Sequence, residues 1–167
     1  LSAELEADKT KVYRNGAGKV TFDITAEMRD GNTVSAEKNL TVQRYVETII
    51  SDGPKVGVTT SITDEVTDEY LGAFKHTDGE SVNVYYIVAY DNGYELRTNT
   101  VALEVATCDH PVDKVNSSTG GKLVCSECGS TIYAELISSD SIKCYDDFED
   151  AMYDAQLEEN EGCIVMV

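Results

Sequence analysis

Hydrophobic and polar residues alternate along much of the first hundred residues. The clearest run is 19–28, in which every second side chain is apolar and the intervening ones are charged or hydroxylated. The apolar positions are Val20, Phe22, Ile24, Ala26 and Met28. A period of two over this length predicts a strand with one buried face. Residues 2–8 alternate in the same way, and residues 40–50 form a further predicted strand region that ends in the turn sequence 51–54.

The strongest hairpin signal lies between residues 81 and 105. The outgoing strand has one apolar face, formed by Val82, Val84, Tyr86, Val88 and Tyr90. Asp91-Asn92-Gly93 supplies the turn, and residues 98–105 return with a second alternating run. Asn-Gly between two such runs predicts a β-hairpin. Several strands of this kind, without a helical period between them, predict an antiparallel β-sandwich for residues 1–106.

The hydrophobic period changes near the C-terminus. The apolar residues Phe148, Ala151, Met152 and Ala155 follow the spacing of one helical face. Asp146 or Asp147 is predicted to cap the start of this helix, and Gly162 to end it. Residues 163–167 are again predicted to form a strand. The segment 135–167 is therefore interpreted as strand, helix and strand.

Four potential metal ligands are concentrated in a short part of the chain. They are Cys108, His110, Cys125 and Cys128. Side chains two residues apart on a strand point the same way, so Cys108 and His110 are predicted to converge on one ion. A Cys-x-x-Cys turn brings two thiolates together, and Gly129 can adopt the left-handed conformation that closes it. Three thiolates and one imidazole suit a closed tetrahedral Zn²⁺ site, and we predict a structural zinc within residues 107–134.

Two other interpretations of the five cysteines stay open. The first is one or two disulfide bonds, which persist in proteins outside the cytoplasm. The second is free or redox-active thiols. Five is an odd number, however, and His110 has no role in a disulfide scheme. Cys144 and Cys163 flank the predicted helix. They are expected either to form a disulfide between adjacent strands or to be two buried free thiols.

No catalytic residue is predicted. Four good ligands fill the coordination shell of zinc, whereas a hydrolytic site keeps one position open for water. The residues around His110 and Cys125 do not match the signature of zinc deaminases. The second histidine, His76, lies in a turn-like stretch and is expected on the surface. The acidic residues of 63–70 lack the spacing of a calcium loop and are predicted to form a solvated acidic loop.

Acidic residues outnumber basic ones by 31 to 13, which gives a formal net charge of −18. Nucleic acid binding needs clusters of Lys and Arg, so this balance excludes nucleic acid as a partner and disfavours anionic membrane surfaces. The acidity is typical of a surface that avoids self-association, and we expect a monomer. No run of about 18 apolar residues is present, so we expect no membrane span. The chain begins at Leu1 and ends in a predicted strand, and it is interpreted as a fragment of a longer polypeptide.

Three segments resemble known families. Residues 84–93 and 98–105 resemble the last two strands of fibronectin type III-like or Ig-like modules. Such modules are common in bacterial cell-surface proteins and secreted glycan-active enzymes. Residues 107–134 are similar to a zinc ribbon. The acidic sequence FEDAMYDAQ at 148–156, with a strand on each side, resembles the segment that precedes the first coil of right-handed parallel β-helix domains.

These resemblances imply a mainly β fragment of an extracellular or surface-anchored bacterial protein. An Ig/fibronectin type III-like sandwich (1–106) is followed by a zinc-ribbon-like module (107–134) and a truncated strand–helix–strand segment (135–167). The expected function is that of a non-catalytic spacer or adhesion module, with a structural zinc at the joint between modules and a glycan or a host or cell-surface protein as partner. The alternatives are an accessory region of a secreted polysaccharide-processing enzyme and a zinc-dependent scaffold with an apolar patch near residues 112–124.

Overall fold

The computed structural model describes residues 2–27, 40–54, 61–90, 95–157, 160 and 162–167. The chain divides into two compact units. The first comprises Leu1–Val12 and Lys19–Ala106, and the second comprises Tyr13–Gly18 and Thr107–Val167. The short segment 13–18 therefore belongs to a different unit from the residues before and after it. The predicted turns at 30–32 and 91–93 lie outside the described residues.

Two sheets form the first unit. The smaller sheet has the strand order β1–β3–β6, and the larger has the order β2–β9–β7–β4–β5 with β8 paired to β7. The bounds are β1 (Ser2–Ala7), β2 (Lys11–Tyr13), β3 (Lys19–Glu27), β4 (Leu40–Val46), β5 (Ile49–Asp52), β6 (Ser61–Thr67), β7 (Ser81–Tyr90), β8 (Glu95–Arg97) and β9 (Val101–Ala106). The pairs β1–β3, β3–β6, β4–β7 and β7–β9 are antiparallel. The predicted mainly β, antiparallel fold is confirmed.

The core of the first unit lies between its two sheets. Alternate residues of β3 and β7 are buried, and these two strands supply Val20, Phe22, Ile24, Val82, Val84, Tyr86 and Val88. The rings of Phe22 and Tyr86 meet across the core, with centroids 5.8 Å apart. Leu5, Ile62 and Leu103 belong to the same cluster and come from β1, β6 and β9. Two sheets whose inner faces share one apolar core form a sandwich, as the alternation predicts.

The predicted strand region at 40–50 contains two strands rather than one. β4 ends at Val46 and β5 begins at Ile49, so the chain reverses at Glu47 and Thr48. Glu47 has a φ of 53°, in the left-handed region that tight reversals use. Ile49 and Ile50 are exposed on an edge strand, so apolar residues lie on both sides of a turn of only two polar residues. Hydropathy alone therefore conceals this hairpin.

The acidic segment at 63–70 is not a solvated loop, and that prediction is wrong. It forms the second half of β6 and the short helix α1 (Asp68–Leu71). Asp64 is only 6% exposed and accepts hydrogen bonds from Arg44 Nε at 2.6 Å and Nη2 at 2.7 Å. The hydroxyl of Tyr86 donates a third, at 2.7 Å. A carboxylate is buried here because a guanidinium from another strand neutralises it.

Two further sheets form the second unit. The first has the order β10–β11–β12, and the second has the order β14–β13–β15. The bounds are β10 (Val115–Ser117), β11 (Leu123–Cys125), β12 (Thr131–Ile132), β13 (Ala134–Ile137), β14 (Ile142–Tyr145) and β15 (Ile164–Met166). Helix α2 (Phe148–Ala155) connects β14 to β15. The predicted strand, helix and strand are therefore present in that order.

Cys144 lies in β14, whereas Cys163 directly precedes β15, and these two strands are not adjacent. β13 lies between β14 and β15 and pairs antiparallel with both. The expected disulfide between neighbouring strands is therefore absent, and both thiols are free.

Helix α2 packs through a narrower stripe than its sequence predicts. Ala151 is fully buried, whereas Phe148 and Met152 are largely exposed. Its N-cap is Asp147, whose carboxylate accepts the backbone N–H of Glu149. None of the helices in the described part of the chain has the length and hydropathy that crossing a bilayer requires.

Candidate metal centre

The four predicted ligands lie together in the second unit. The ligand atoms of Cys108, His110, Cys125 and Cys128 are all within 4.8 Å of one another, and all four side chains are buried. Cys108 Sγ lies 3.8 Å from Cys125 Sγ, and Cys128 Sγ lies 3.4 Å from His110 Nδ1. Zn–S bonds of about 2.3 Å and a Zn–N bond of about 2.1 Å at tetrahedral angles give edges of about 3.8 Å for S–S and about 3.6 Å for S–N. The S–S and S–N separations given above are close to these edges.

The first ligand pair lies in a loop, and the prediction that it lies on a strand is wrong. β9 ends at Ala106, and residues 107–111 have no regular secondary structure. His110 has a φ of 49°, a left-handed conformation that costs a non-glycine residue on the order of 1 kcal/mol. The left-handed turn, rather than the two-residue repeat of a strand, therefore brings the imidazole alongside Cys108.

The second ligand pair lies in a tight turn at the end of β11. The backbone N–H of Gly129 donates to the carbonyl of Cys125 at 2.8 Å. Gly129 has a φ of 76°, so the predicted left-handed glycine is confirmed. A Cβ at this position would lie 2.9 Å from the Cα of Gly18. Glycine is therefore required both by the turn and by the close approach of the 13–18 segment.

The 13–18 segment forms hydrogen bonds with the backbone of both ligand pairs. The Asn15 side chain accepts the backbone N–H of Cys108 and donates to the carbonyl of the same residue, each at 2.9 Å. The backbone N–H of Ala17 donates to the carbonyl of Cys128 at 2.9 Å, and the buried hydroxyl of Ser130 donates to the carbonyl of Asn15. The sequence contains no local signal for these contacts, because they join residues about ninety or more positions apart.

The imidazole of His110 is held at both nitrogens. Nδ1 faces the thiols, while Nε2 lies 3.2 Å from the carboxylate of Asp146. Asp146 is the residue between β14 and Asp147, the N-cap of α2. Its sequence position indicates only a possible helix cap, and no local pattern predicts the contact with His110.

The electrostatics of the cluster favour a cation. Burial raises the pKa of Cys108 and of Cys128. Burial also acts to raise the pKa of Cys125, but hydrogen bonds, the largest of them from the backbone of Cys128, outweigh it and lower that pKa to about 7. Three thiolates packed this closely would repel one another, so ionisation of all three needs a cation to offset their charge. The 3.8 Å separation of Cys108 and Cys125 sulfurs is nearly twice the length of a disulfide, about 2.0 Å.

The other sequence-predicted groups lie elsewhere or play a packing role. Cys144 is a buried free thiol in the same apolar cluster as the ligand cysteines. His76 pairs with Glu80 at 3.5 Å. In the segment proposed as an apolar patch, Val112 is largely exposed, whereas Val115 and Val124 are half-buried.

Comparison with known proteins adds structural neighbours of low similarity. No protein-family model matches the chain, and no curated protein matches it. Among solved structures, the chain is similar to the fibronectin(III)-like modules of CbhA from Clostridium thermocellum, with 9% identity and a TM-score of 0.40, over 62% of this chain and 93% of that one. It is also similar to the N-terminal domain of the adhesin Sgo0707 from Streptococcus gordonii, with 12% identity and a TM-score of 0.34, over 63% of this chain and 32% of that one.

Proposed function

We propose that Cys108, His110, Cys125 and Cys128 hold one structural Zn²⁺. The observation that carries this proposal is the convergence of four buried ligand atoms within 4.8 Å. Zn²⁺ and a few other transition-metal cations bind thiolate and imidazole, whereas Mg²⁺ and Ca²⁺ prefer oxygen ligands. The site is closed, because four protein ligands leave no position for a reacting water. Its role is to stabilise the fold.

The need for a metal follows from the size of the surrounding core. Apart from the thiols, Ile132 is the single fully buried hydrophobic residue described in this cluster, with Tyr13, Val115 and Leu123 packed beside it. So small an apolar cluster contributes little to the free energy of folding. A bound zinc adds its binding free energy to folding and cross-links the loops that carry its ligands.

For the chain as a whole, we propose a non-catalytic spacer or adhesion module of a larger bacterial surface protein, with the zinc site near the junction of its modules. The three-part division at residues 106 and 134 belongs to this proposal. Support comes from the sandwich of the first unit, from the closed donor set of the second, and from the acidic surface. Both histidines are engaged, His110 with the cysteines and His76 with Glu80. The partner class remains a glycan or a surface protein.

Elemental analysis of the chain, purified without added reductant, chelator or metal, tests the metal proposal. We expect about one zinc per chain and anomalous scattering at the zinc edge between the four ligands. A metal-free sample with a Cys108–Cys125 or Cys108–Cys128 disulfide would contradict it. The spacer or adhesion role is tested separately by glycan-array and cell-surface binding. Turnover of any glycan by the chain would contradict the non-catalytic assignment.

A further inference from the structure

Two adjacent carboxylates at the start of helix α2 have different partners. Asp147 accepts the backbone N–H of Glu149 at 2.7 Å and is the N-cap of the helix. Asp146 turns the other way, and its Oδ2 lies 3.2 Å from His110 Nε2. The two residues share charge, size and sequence neighbourhood. The two residues therefore differ only in what they contact, so Asp147 can serve as a control for Asp146.

The contact with Asp146 determines which nitrogen of His110 carries the proton. A bare imidazole nitrogen would point its lone pair at the carboxylate and be repelled by it, so Nε2 carries hydrogen and donates it to Asp146. Asn15 Nδ2 lies 3.4 Å from the same nitrogen and donates one of its two hydrogens to the carbonyl of Cys108, whereas the carboxylate of Asp146 is the closer partner of Nε2, at 3.2 Å. Asp146 is thus the acceptor at this nitrogen. Nδ1, which faces Cys128, is left with its lone pair toward the thiols.

The geometry points to Asp146 as the positioning residue of the metal centre. It accepts the Nε2 hydrogen of His110, fixes the ring orientation, and holds the tautomer whose Nδ1 binds the metal. This inference rests on the proposed zinc site and extends it by one residue that is not a ligand. A carboxylate bonded to a metal-binding imidazole also makes the ligand nitrogen more basic. Loss of such a partner typically lowers metal affinity about 10- to 100-fold.

The same contact extends the metal centre to the C-terminal sheet. Asp146 directly follows β14, and β14 pairs with β13 along Ala134–Ile137. The hydrogen bond from His110 therefore joins the loop after β9 to the corner between β14 and α2. In this arrangement, the metal, the imidazole and the carboxylate form one continuous chain of contacts.

The test uses the full chain and Zn²⁺ titrated against a chelator of known affinity. We expect Asp146→Ala to weaken Zn²⁺ binding about 10- to 100-fold. Asp146→Asn keeps an acceptor oxygen without the charge and should lose less. Asp147→Ala removes the helix cap at the neighbouring position, and we expect its Zn²⁺ affinity to stay within about 3-fold of the unaltered chain while α2 is destabilised.

A second readout separates positioning from general stability. ¹H–¹⁵N NMR of His110 in the Zn²⁺-loaded chain reports how fast the Nε2 hydrogen exchanges with water. This hydrogen should be protected in the unaltered chain and in Asp146→Asn, and it should exchange faster in Asp146→Ala. Zn²⁺ affinities equal to that of the unaltered chain, together with an unchanged exchange rate in both variants, would overturn the role of Asp146 and leave the metal centre intact. Failure of the unaltered chain to take up Zn²⁺ would instead overturn the metal centre itself, and with it this role.

Discussion

The first unit packs two sheets around one continuous apolar core, whereas the second contains two small clusters of buried residues. In the cluster around the metal ligands, four of the five buried members are cysteines. Hydrophobic burial scales with apolar area, so the sandwich has a large driving force for folding and the cysteine cluster has a small one. With the proposed zinc bound, one chain would use two kinds of stabilisation, burial in the first unit and a metal cross-link in the second.

Metal removal should give the largest contrast between the units. We expect chelation, or the Cys125→Ser substitution, to remove protection from hydrogen exchange in β10–β15 while β7 and β9 keep theirs. Binding of a structural zinc contributes on the order of 10 kcal/mol, comparable to the whole stability of a small domain. Hydrogen-exchange mass spectrometry measures both units in one sample.

Cys163→Ser is the matched control for that experiment. Cys163 is a half-buried free thiol outside the ligand set, so its loss should leave the exchange pattern unchanged. If metal removal lowered protection equally in both units, or left it unchanged in both, a stabilising role of the metal confined to the second unit would be contradicted.

Truncation of the sandwich core should have the converse effect. Phe22 is fully buried against Tyr86, and Phe22→Ala should lower the free energy of unfolding of the first unit by about 3–5 kcal/mol. Zinc content should stay at about one per chain, because the ligands lie in the other unit. Urea denaturation followed by circular dichroism, with elemental analysis on the same sample, checks both.

A second phenylalanine supplies the control for this substitution. Phe74 is 53% exposed, and Phe74→Ala should change stability by less than about 0.5 kcal/mol. A folded Phe22→Ala variant that had lost its zinc would show that the two units are not stabilised separately.

The 13–18 segment contributes to the second unit through hydrogen bonds and not through buried apolar area. Asn15→Ala removes both bonds to the backbone of Cys108 and leaves that backbone part-buried without them. We expect a loss of about 2 kcal/mol, measured as a lower unfolding midpoint of the zinc-loaded chain. Asn116→Ala is the control, since its amide makes one exposed bond to the carbonyl of Lys114. Equal effects of the two substitutions would contradict the role given to Asn15.

Local patterns predicted the parts of the molecule that depend on local physics. The burial of Val82, Val84, Tyr86 and Val88 follows from the period of a strand, which neighbouring residues determine. The cysteine spacing likewise identified the four side chains that the fold brings together. In both cases the signal lies within about twenty residues of sequence.

The features that sequence analysis missed depend on distant partners. Asp64 is predicted to be exposed by its charge and is buried because Arg44, from another strand, neutralises it. Asn15 and Asp146 each contact the cysteine cluster across a long stretch of chain. A single carboxylate or amide residue forms no repeating pattern in the sequence. Its role can therefore be identified only from the partner that the fold places beside it.

The smallest effect concerns an exposed ion pair at the C-terminal end of the second unit. Lys143 donates to the carboxylate of Asp154, which raises the pKa of the lysine, and the Tyr145 hydroxyl donates to the same carboxylate. A lysine pKa raised by folding means that the stabilisation is fully present below the unfolded value of about 10.4 and is lost as the pH rises through the folded value. The Lys143→Met substitution should therefore cost less than about 1 kcal/mol at pH 8, because the lysine is well exposed. This difference should shrink as the pH rises above the unfolded value and the folded lysine loses its charge. Chemical denaturation from pH 8 into this range measures it, with the exposed Lys122→Met as control. If the stability difference between the two chains persisted unchanged at the higher pH, the lysine would act through the packing of its aliphatic stem. Its contribution would then be apolar burial, the kind of stabilisation found in the first unit.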